Sequence, residues 1–430
     1  MKKMSMIWGC ALSLAFSLNV QAQESNGWIV KFKEGSKAFQ EKSFQSLGTV
    51  TELPVSFGTF VKLEADLAEK SLQNLASHPE VEYIEPNYIY THLPMVTEEL
   101  ESAIQDTDYG RQWGLQNTGR NSGSILRRGT VGEDINATNA WTITQGSQDI
   151  IVAVIDTGVD YNHPDLKDNI LINEAELNGT PGEDSDGNGY IDDIYGYNFA
   201  GKNANPMDGN AHGTHCAGVI GASHNSIGIR GVMANVKILP IKFLSDSGRG
   251  ETADAILSID YATSRGVHVM SNSWGGGGRS EALLEAIQRA NEQGIVFVAA
   301  AGNSRANNDT SASFPANYEV DNVISVGAMD GRGARASFSN YGRNSVHIFA
   351  PGTDILSTTP NNGYRNMSGT SMAAPFVSGV VGLLLSQETG LSMAEVRERI
   401  VQTSVRNSSL ATSAQGGRMD AFRVLNDTRN

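Results

Sequence analysis

The chain has 430 residues, of which 40% are hydrophobic and 18% are charged, and it contains 46 glycines. This composition is typical of a soluble globular protein with many turns, and it excludes a fibrous or disordered chain. The 47 acidic and 32 basic residues give a net charge of −15, which argues against nucleic acid or an anionic membrane surface as a partner.

Residues 1–22 combine a basic start, an apolar run over 7–20 and a small-residue end at Ala22. These are the features of a secretory signal peptide, so we expect an exported protein, extracellular or periplasmic, with cleavage after Ala22. Cys10 raises a lipoprotein alternative, but it lies too early in the apolar run. Removing the signal leaves Cys216 as the only thiol, so the processed protein has no intramolecular disulfide. No other run is long and apolar enough for a membrane span.

Residues 23–95 show the pattern of a small α+β domain. Alternating apolar residues predict strands over 27–33, 57–63 and 81–90, and helix-like spacing predicts helices over 36–47 and 67–76. Residues 96–105 are acidic and polar, and they indicate a linker.

From residue 106 to 430 the pattern changes to strands that alternate with helices. Continuous apolar runs, which are typical of strands buried on both faces, occur at 150–155, 236–243, 267–271, 295–300 and 323–326. Helical spacing occurs at 212–221, 252–264, 281–293 and 372–385, and again in the tail at 393–404 and 416–425. We therefore predict an α/β domain with a parallel sheet and helices on both faces, whose ligands gather at the carboxyl ends of the strands.

Three residues stand where catalytic groups are expected. Asp156 follows the buried run 150–155, His212 begins a small-residue helix, and Ser371 lies in a Gly-Thr-Ser loop before an apolar helix. Taken singly, they have structural explanations as a turn aspartate, a cap or packing histidine and an N-cap serine. Together they supply a carboxylate that orients an imidazole, a general base and a nucleophile. His212 and His215 also suggest zinc, but their spacing differs from the common zinc helix and no glutamate lies between them.

The three segments around these residues read Val154-Ile-Asp-Thr-Gly158, His212-Gly-Thr-His-Cys216 and Asn366-Met-Ser-Gly-Thr-Ser-Met-Ala-Ala-Pro375. In this order they resemble the signature motifs of the subtilisin-like serine endopeptidases, or subtilases, and His212–Cys216 is similar to the proteinase K branch. The resemblance extends over about 112–425. It implies a secreted endopeptidase that hydrolyses peptide bonds through an acyl-enzyme on Ser371.

The resemblance also assigns an oxyanion site. Ala299-Ala-Ala-Gly-Asn303 is similar to the family's oxyanion segment, so Asn303 is expected to stabilise the tetrahedral intermediate together with the Ser371 backbone N–H. Thr370 is either a secondary helper or a packing residue. Cys216, one helical turn after His212, has no base of its own, and we interpret it as a buried packing thiol.

Substrate-binding residues follow from the same resemblance. Two segments are expected to pair with the substrate backbone as added strands: Gly248, Arg249, Gly250, and Ser273, Trp274, Gly275. Trp274 replaces a commoner aliphatic residue and is expected to reshape the entrance to the main pocket. Ser313 corresponds to the floor of that pocket, where a small neutral residue favours large apolar side chains. We therefore expect protein and peptide substrates, cut with broad specificity.

A second acidic segment, 184–193, follows the spacing of a calcium loop. Oxygen ligands are expected from Asp184, Asp186, Asn188 and the Tyr190 carbonyl, and Asp192 or Asp193 is expected to complete the shell. The glutamate expected at the end of such a loop is absent, so a solvated acidic turn is the alternative. Because clustered carboxylates repel one another, we favour structural Ca²⁺.

Residues 23–95 resemble the inhibitory propeptide of subtilases. This implies a zymogen whose own propeptide assists folding, fills the active site and is removed by self-cleavage. We also expect the protein to be a monomer. Two alternatives remain open: a catalytically silent binding protein held by its own propeptide, and an esterase or peptide ligase that uses the same acyl-enzyme.

Overall fold

The structure is a computed structural model that describes residues 23–92, 96–98, 106–121, 128–411 and 414–430. The predicted signal peptide over 1–22, with Cys10, lies outside the described residues, as does most of the predicted linker.

The N-terminal unit, residues 23–92, is a four-stranded antiparallel sheet covered by short helices. Its strands, in the order in which they pair, are β4 (Val81–His92), β1 (Ser25–Phe32), β3 (Thr59–Glu64) and β2 (Thr49–Leu53). This confirms the small α+β fold. The helix predicted over 36–47 is broken into a 3₁₀ turn and one helical turn, and β2 was not predicted. Its helices are α1 (Lys42–Gln45) and α2 (Glu69–Ala76).

The larger unit alternates strands and helices, as its sequence predicts. Its helices are α3 (Ala137–Ala140), α4 (Glu174–Leu177), α5 (His212–Gly221), α6 (Thr252–Ser264), α7 (Glu281–Glu292), α8 (Thr370–Gln387), α9 (Met393–Gln402) and α10 (Ala421–Leu425). Its strands, together with β5 from the predicted linker, are β5 (Val96–Glu98), β6 (Gly146–Asp156), β7 (Tyr197–Asn198), β8 (Asn235–Lys242), β9 (Arg249–Glu251), β10 (Val269–Asn272), β11 (Trp274–Gly275), β12 (Val296–Ala300), β13 (Val323–Met329), β14 (Ile348–Pro351), β15 (Ile355–Thr359) and β16 (Gly363–Ser368).

Seven parallel strands form the central sheet, in the order β14-β13-β12-β10-β6-β8-β7. On β6, Val152 and Val154 pack into the core with helices α5 and α8, whereas Ala153 and Ile155 pack into the core with α6 and α7. Because successive residues of a strand point to opposite faces, the buried part of this strand, residues 150–155, is apolar throughout. The predicted α/β fold is confirmed.

Helix α8 is the central helix of one face. Its residues Thr370–Leu384 are all buried, and the packing of small residues such as Gly379 against Val232 brings it close to its neighbours. The helix is long and apolar enough to cross a membrane, but 83% of that window is buried inside the protein. A core helix of a soluble protein passes the same test, so this helix is weak evidence of a membrane span.

The N-terminal unit joins the larger unit through strand pairing. The end of β4 pairs antiparallel with β9 on one side and β11 on the other. Farther along the chain, β5 pairs antiparallel with β16. The chain therefore enters and leaves the cleft between these strands in an extended conformation, and the described part of the predicted linker is a strand.

Candidate active site

Three neighbouring strands of the central sheet deliver polar residues to one place. Asp156 ends β6, Ser273 directly follows β10, and Asn303 comes three residues after β12. In the sheet, β10 lies between β6 and β12. Because parallel strands end at the same edge, these residues gather there, as the sequence predicts.

Asp156 and His212 form a buried hydrogen-bonded pair. The Nδ1 of His212 lies 2.7 Å from Oδ1 of Asp156, and both residues have no exposed surface. The same Oδ1 accepts the backbone N–H of Thr157 at 2.7 Å, which fixes the carboxylate. An ionised carboxylate only accepts, so Nδ1 carries the proton and Nε2 has the lone pair. Among the described residues, nothing hydrogen-bonds to that Nε2.

Ser371 lies in the first turn of α8 and is fully buried. Its Oγ donates to the carbonyl of Ser273 at 3.0 Å, so in this structure it is not hydrogen-bonded to His212. His92, at the end of β4, stacks on the His212 ring with centroids 5.0 Å apart. The cleft is thus filled by the chain's own strand, and only the Asp156–His212 half of the predicted triad is hydrogen-bonded.

Asn303 is held by the residue that precedes the serine. Its Oδ1 accepts the backbone N–H of Thr370 at 2.9 Å and the Thr370 hydroxyl at 3.0 Å. Both Thr370 groups are donors, so the amide atom that faces them is the oxygen, and this settles the orientation of the amide. An added Cβ at Gly369 would lie 3.2 Å from the Nδ2 on the other side of the amide. The hydroxyl of Thr370 also accepts Gly302 N–H at 3.2 Å. Thr370 therefore orients the amide that the sequence predicts as an oxyanion donor.

The two predicted substrate segments each pair with β4. Gly250 and Arg249 lie opposite Tyr90 and Thr91, and Trp274 and Gly275 lie opposite His92 and Thr91. The N–H of His92 also donates to the carbonyl of Gly248 at 3.1 Å. At Gly248, φ is +77°, and an added Cβ would lie 2.0 Å from the His92 ring. An extended chain is therefore bound between two strand edges, as the segments predict.

Trp274 lies deeper than expected. It is fully buried, and its ring packs edge-on against Tyr90, with centroids 5.1 Å apart, and against Phe243 at 4.7 Å. Tyr90 is itself fully buried, and its hydroxyl donates to the carbonyl of Gly278 at 3.3 Å. Trp274 thus lines an aromatic pocket around Tyr90, which lies two residues before His92 on β4. The contact depends on the β4 register, which the isolated motif does not reveal.

Ser313 lies beside the oxyanion segment. An added Cβ at Gly302, next to Asn303, would lie 3.3 Å from the Ser313 hydroxyl. The backbone N–H of Ser313 donates to Asn317 Oδ1 at 2.9 Å, which holds the loop that carries it. The predicted pocket residue and the predicted oxyanion donor are therefore neighbours.

The comparisons with known proteins agree with this geometry. The sequence model of the Subtilase family matches residues 147–421. The chain belongs to the subtilase family. It is 37% identical to a thermophilic serine proteinase of Bacillus sp. (strain AK1) over 404 residues, which cover 92% of this chain and 86% of that protein. It is also 37% identical to thermitase of Thermoactinomyces vulgaris, covering 68% of this chain and 94% of thermitase. Subtilisin DY of Bacillus licheniformis is 38% identical over 59% of this chain and 82% of its own length. The protein is a serine endopeptidase.

Two neighbours of His212 have structural roles in this subtilase. His215 is buried, and its Nε2 lies 2.9 Å from the carbonyl of Ile355, while burial lowers its pKa to about 3. Cys216 is buried, as predicted; its Sγ lies 3.5 Å from the carbonyl of Ser371, and burial raises the thiol pKa. A protonated thiol is a poor nucleophile, so Ser371 is the candidate nucleophile among the described residues of the site.

The acidic loop of this subtilase brings together a set of carboxylates that differs from the predicted one. Oxygens of Asp184, Asp186 and Glu176 lie within 4.8 Å of one another. Glu176, on α4, is buried and accepts the backbone N–H groups of Ser185 at 2.6 Å and Asp192 at 2.8 Å. Glu176 was not predicted, because it precedes the loop and its local sequence does not distinguish it from Glu174.

Two of the remaining predicted calcium ligands, Asp193 and Asn188, hydrogen-bond to other residues in this structure. Asp193 is buried and accepts Tyr261 Oη at 2.5 Å and Asn173 Nδ2 at 2.6 Å. The Nδ2 of Asn188 donates to Asp186 and Asp193, and the ring of Tyr190 packs among aromatic residues. Asp193 is therefore a structural acceptor in this structure, while the three oxygens around Glu176 provide the hard donor set that suits Ca²⁺.

Proposed function

We propose that this subtilase hydrolyses peptide bonds through an acyl-enzyme on Ser371. Nε2 of His212 takes the hydroxyl proton while Oγ attacks the substrate carbonyl, and Asp156 stabilises the imidazolium. Asn303 Nδ2 and the Ser371 N–H donate to the oxyanion. The imidazolium then protonates the leaving amine, and water releases the acyl group by the reverse sequence. The observation that carries this proposal is the buried 2.7 Å bond between Asp156 and His212, which leaves Nε2 as the base.

The hydroxyl of Ser371 must turn for this chemistry, because here it donates to Ser273. Rotation of one side-chain torsion is fast, and catalytic hydrogen bonds are often formed only in the substrate complex. We infer that replacing β4 by a substrate permits this rotation.

A prediction follows for Asn303. Asn303→Asp keeps an oxygen for both Thr370 donors but replaces the Nδ2 donor by a carboxylate oxygen that repels an oxyanion. We expect kcat to fall by roughly 100- to 1,000-fold with little change in KM. Thr370→Val, which removes one orienting bond but keeps the amide donor, is the matched control and is expected to cost less. A kcat within a few-fold of wild type in Asn303→Asp would remove Asn303 from the mechanism.

We propose that residues 23–95 are an inhibitory propeptide and that self-cleavage occurs between His92 and Val96. The support is the chain path: His92 pairs with Trp274, beside Ser273, whose carbonyl accepts the Ser371 hydroxyl, and Val96 pairs with Ser368, three residues before Ser371. N-terminal analysis of the processed protein is expected to give a first residue within 93–96. A silent binding protein held by its own N-terminal unit would show no such cut.

Substrate preference is expected to follow the strand that fills the cleft. The small neutral Ser313 supports a preference for large apolar residues before the cut bond. The pocket around Tyr90 supports an aromatic residue three positions farther upstream. The relative turnover of peptide, ester and acyl-acceptor substrates distinguishes the peptidase from an esterase or a ligase that uses the same acyl-enzyme.

We propose that structural Ca²⁺ binds at Glu176, Asp184 and Asp186, where it neutralises converging carboxylates. Saturating Ca²⁺ at about 100 times its Kd stabilises the folded state by about 2.7 kcal/mol, which raises Tm by roughly 4 °C for a domain of this size. In Glu176→Gln this increment is expected to shrink, and in Glu174→Gln, on the same helix but exposed, it is expected to remain. Equal melting curves of wild type in Ca²⁺ and in chelator would contradict the site.

We propose that the protein is exported. The support is sequence alone: the basic start, apolar run and small-residue end of residues 1–22. Mass spectrometry of the Ser371→Ala precursor purified from the medium or periplasm is expected to give a chain that begins at Gln23.

A further inference from the structure

The side chain of Glu251 lies at the upstream end of the substrate cleft. On β9 it is the residue directly opposite Ile89 of β4. Trp274 lies opposite His92, so the next position of an extended chain lies opposite Ser273, whose carbonyl accepts the Ser371 hydroxyl. Counting that position as the first before the cut bond, Ile89 occupies the fifth.

The partners of Glu251 all come from the N-terminal unit. Lys62 Nζ lies 2.5 Å from its carboxylate, and Asn87 Nδ2 lies 2.8 Å away; Asn26 donates a further hydrogen bond. Burial disfavours the charged form, but the hydrogen bonds from Lys62, Asn26 and Asn87 outweigh it and lower the Glu251 pKa. Within the described part of the larger unit, no side chain donates to this carboxylate. The Lys62 ammonium group is thus the cation bound to Glu251 in the precursor, and removal of the N-terminal unit takes it away.

A second acidic residue lies close to Glu251 at this end of the cleft, but burial disfavours its charged form. Asp254 lies one turn later on α6, and burial together with the charge of Glu251 raises its pKa to about 7. Two cations of the larger unit oppose this charge. The positive charge of Lys202 partly offsets the rise in the pKa of Asp254. Arg249, two residues before Glu251, forms an ion pair with Glu24 of the N-terminal unit at 2.5 Å. Loss of the N-terminal unit removes Lys62 and frees Arg249 from Glu24.

We propose that in the processed enzyme Glu251 selects substrates with lysine or arginine at the fifth position before the cut bond. The proposal rests on the proposed function, because it takes the β4 register as the substrate register. Directly opposed residues of antiparallel strands have Cβ atoms about 5 Å apart, so a long cationic side chain there reaches the carboxylate. In the precursor the neutral Ile89 occupies this position, and Lys62 supplies the cation from β3 instead.

The test uses internally quenched peptides with tyrosine at the fourth position and lysine, isoleucine or glutamate at the fifth. For processed wild type at low salt, we expect kcat/KM for the lysine peptide to exceed that for the glutamate peptide by roughly tenfold, since one attraction is gained and one repulsion removed. The ratio is expected to fall as salt is raised. In Glu251→Gln it is expected to approach 1, and in Glu251→Lys it is expected to invert.

Glu285→Gln is the matched control. Glu285 also binds the N-terminal unit, through Lys31 at 2.7 Å and Tyr83 at 2.9 Å, but it lies on α7 and not on β9. This variant is expected to keep the lysine preference. Equal kcat/KM for the lysine and glutamate peptides in wild type would overturn the proposal, as would an undiminished preference in Glu251→Gln. Failure of the proposed function has a different signature, because then none of the three peptides is hydrolysed in a Ser371-dependent way.

Discussion

Ser371→Ala is expected to lower kcat for peptide hydrolysis by about 10⁶-fold, the size of the loss that removal of the corresponding serine causes in subtilisin. The physical reason is that Cys216, the described thiol nearest to His212, is buried and protonated, so no other nucleophile replaces the hydroxyl. The same variant is expected to stay uncut between His92 and Val96. Steady-state kinetics and intact-mass analysis of the purified precursor measure the two effects.

Ser378→Ala is the control for this variant. Ser378 lies on the same helix, where its Oγ hydrogen-bonds to Ser271 Oγ at 2.9 Å, away from His212. It is expected to mature and to hydrolyse peptides at near wild-type rates. Self-cleavage of Ser371→Ala at the wild-type rate, in a preparation free of other proteases, would refute the acyl-enzyme.

Asp156→Asn is expected to lower kcat by about 10⁴-fold. An amide oxygen placed where Oδ1 lies still accepts from His212 and Thr157, but it carries no charge. The imidazolium that forms when Ser371 loses its proton is then buried without a counter-ion. Rates measured with saturating substrate report this loss directly.

Asp160→Asn tests whether the loss is merely that of a buried charge. Asp160 is buried four residues farther on, and its oxygens accept the N–H groups of Asn162 and Asn361. We expect this variant to cost stability and to keep kcat within about tenfold. A similar fall of kcat in both variants would show that Asp156 acts through the fold and not through His212.

Five strands of the central sheet, β6, β8, β10, β12 and β13, could be predicted because their apolar residues face both sides of the sheet. Such a strand, β6 for example, gives an unbroken run of apolar residues that needs no long-range information. Strands β7 and β14 of the same sheet were not predicted. Strands β15, β16 and β2 were missed because they carry polar residues and are defined by their neighbours. The helix predicted over 36–47 was too long because tertiary packing of Phe39 and Phe44 against Phe32 outweighs helical propensity there.

The site residues Asp156, His212 and Asn303 were predicted because each lies in a segment that resembles a subtilase motif, although their contacts join segments that are distant in the chain. Contacts between distant segments that no motif marks were not predicted. Trp274 lines a pocket only because Tyr90 inserts beside it, and Glu176 reaches the acidic loop only through the position of α4. Such contacts are fixed by strand register and helix placement, which a single sequence does not encode locally.

Reaction of the processed enzyme with a fluorophosphonate, followed by mass spectrometry of its peptides, tests the central claim most directly. An activated serine attacks phosphorus and becomes covalently phosphonylated, whereas an ordinary buried serine does not react. We predict a single label at Ser371, formed in parallel with loss of peptidase activity and absent in Asp156→Asn on the same timescale. Labelling at another residue, or full inhibition with Ser371 unlabelled, would contradict the mechanism.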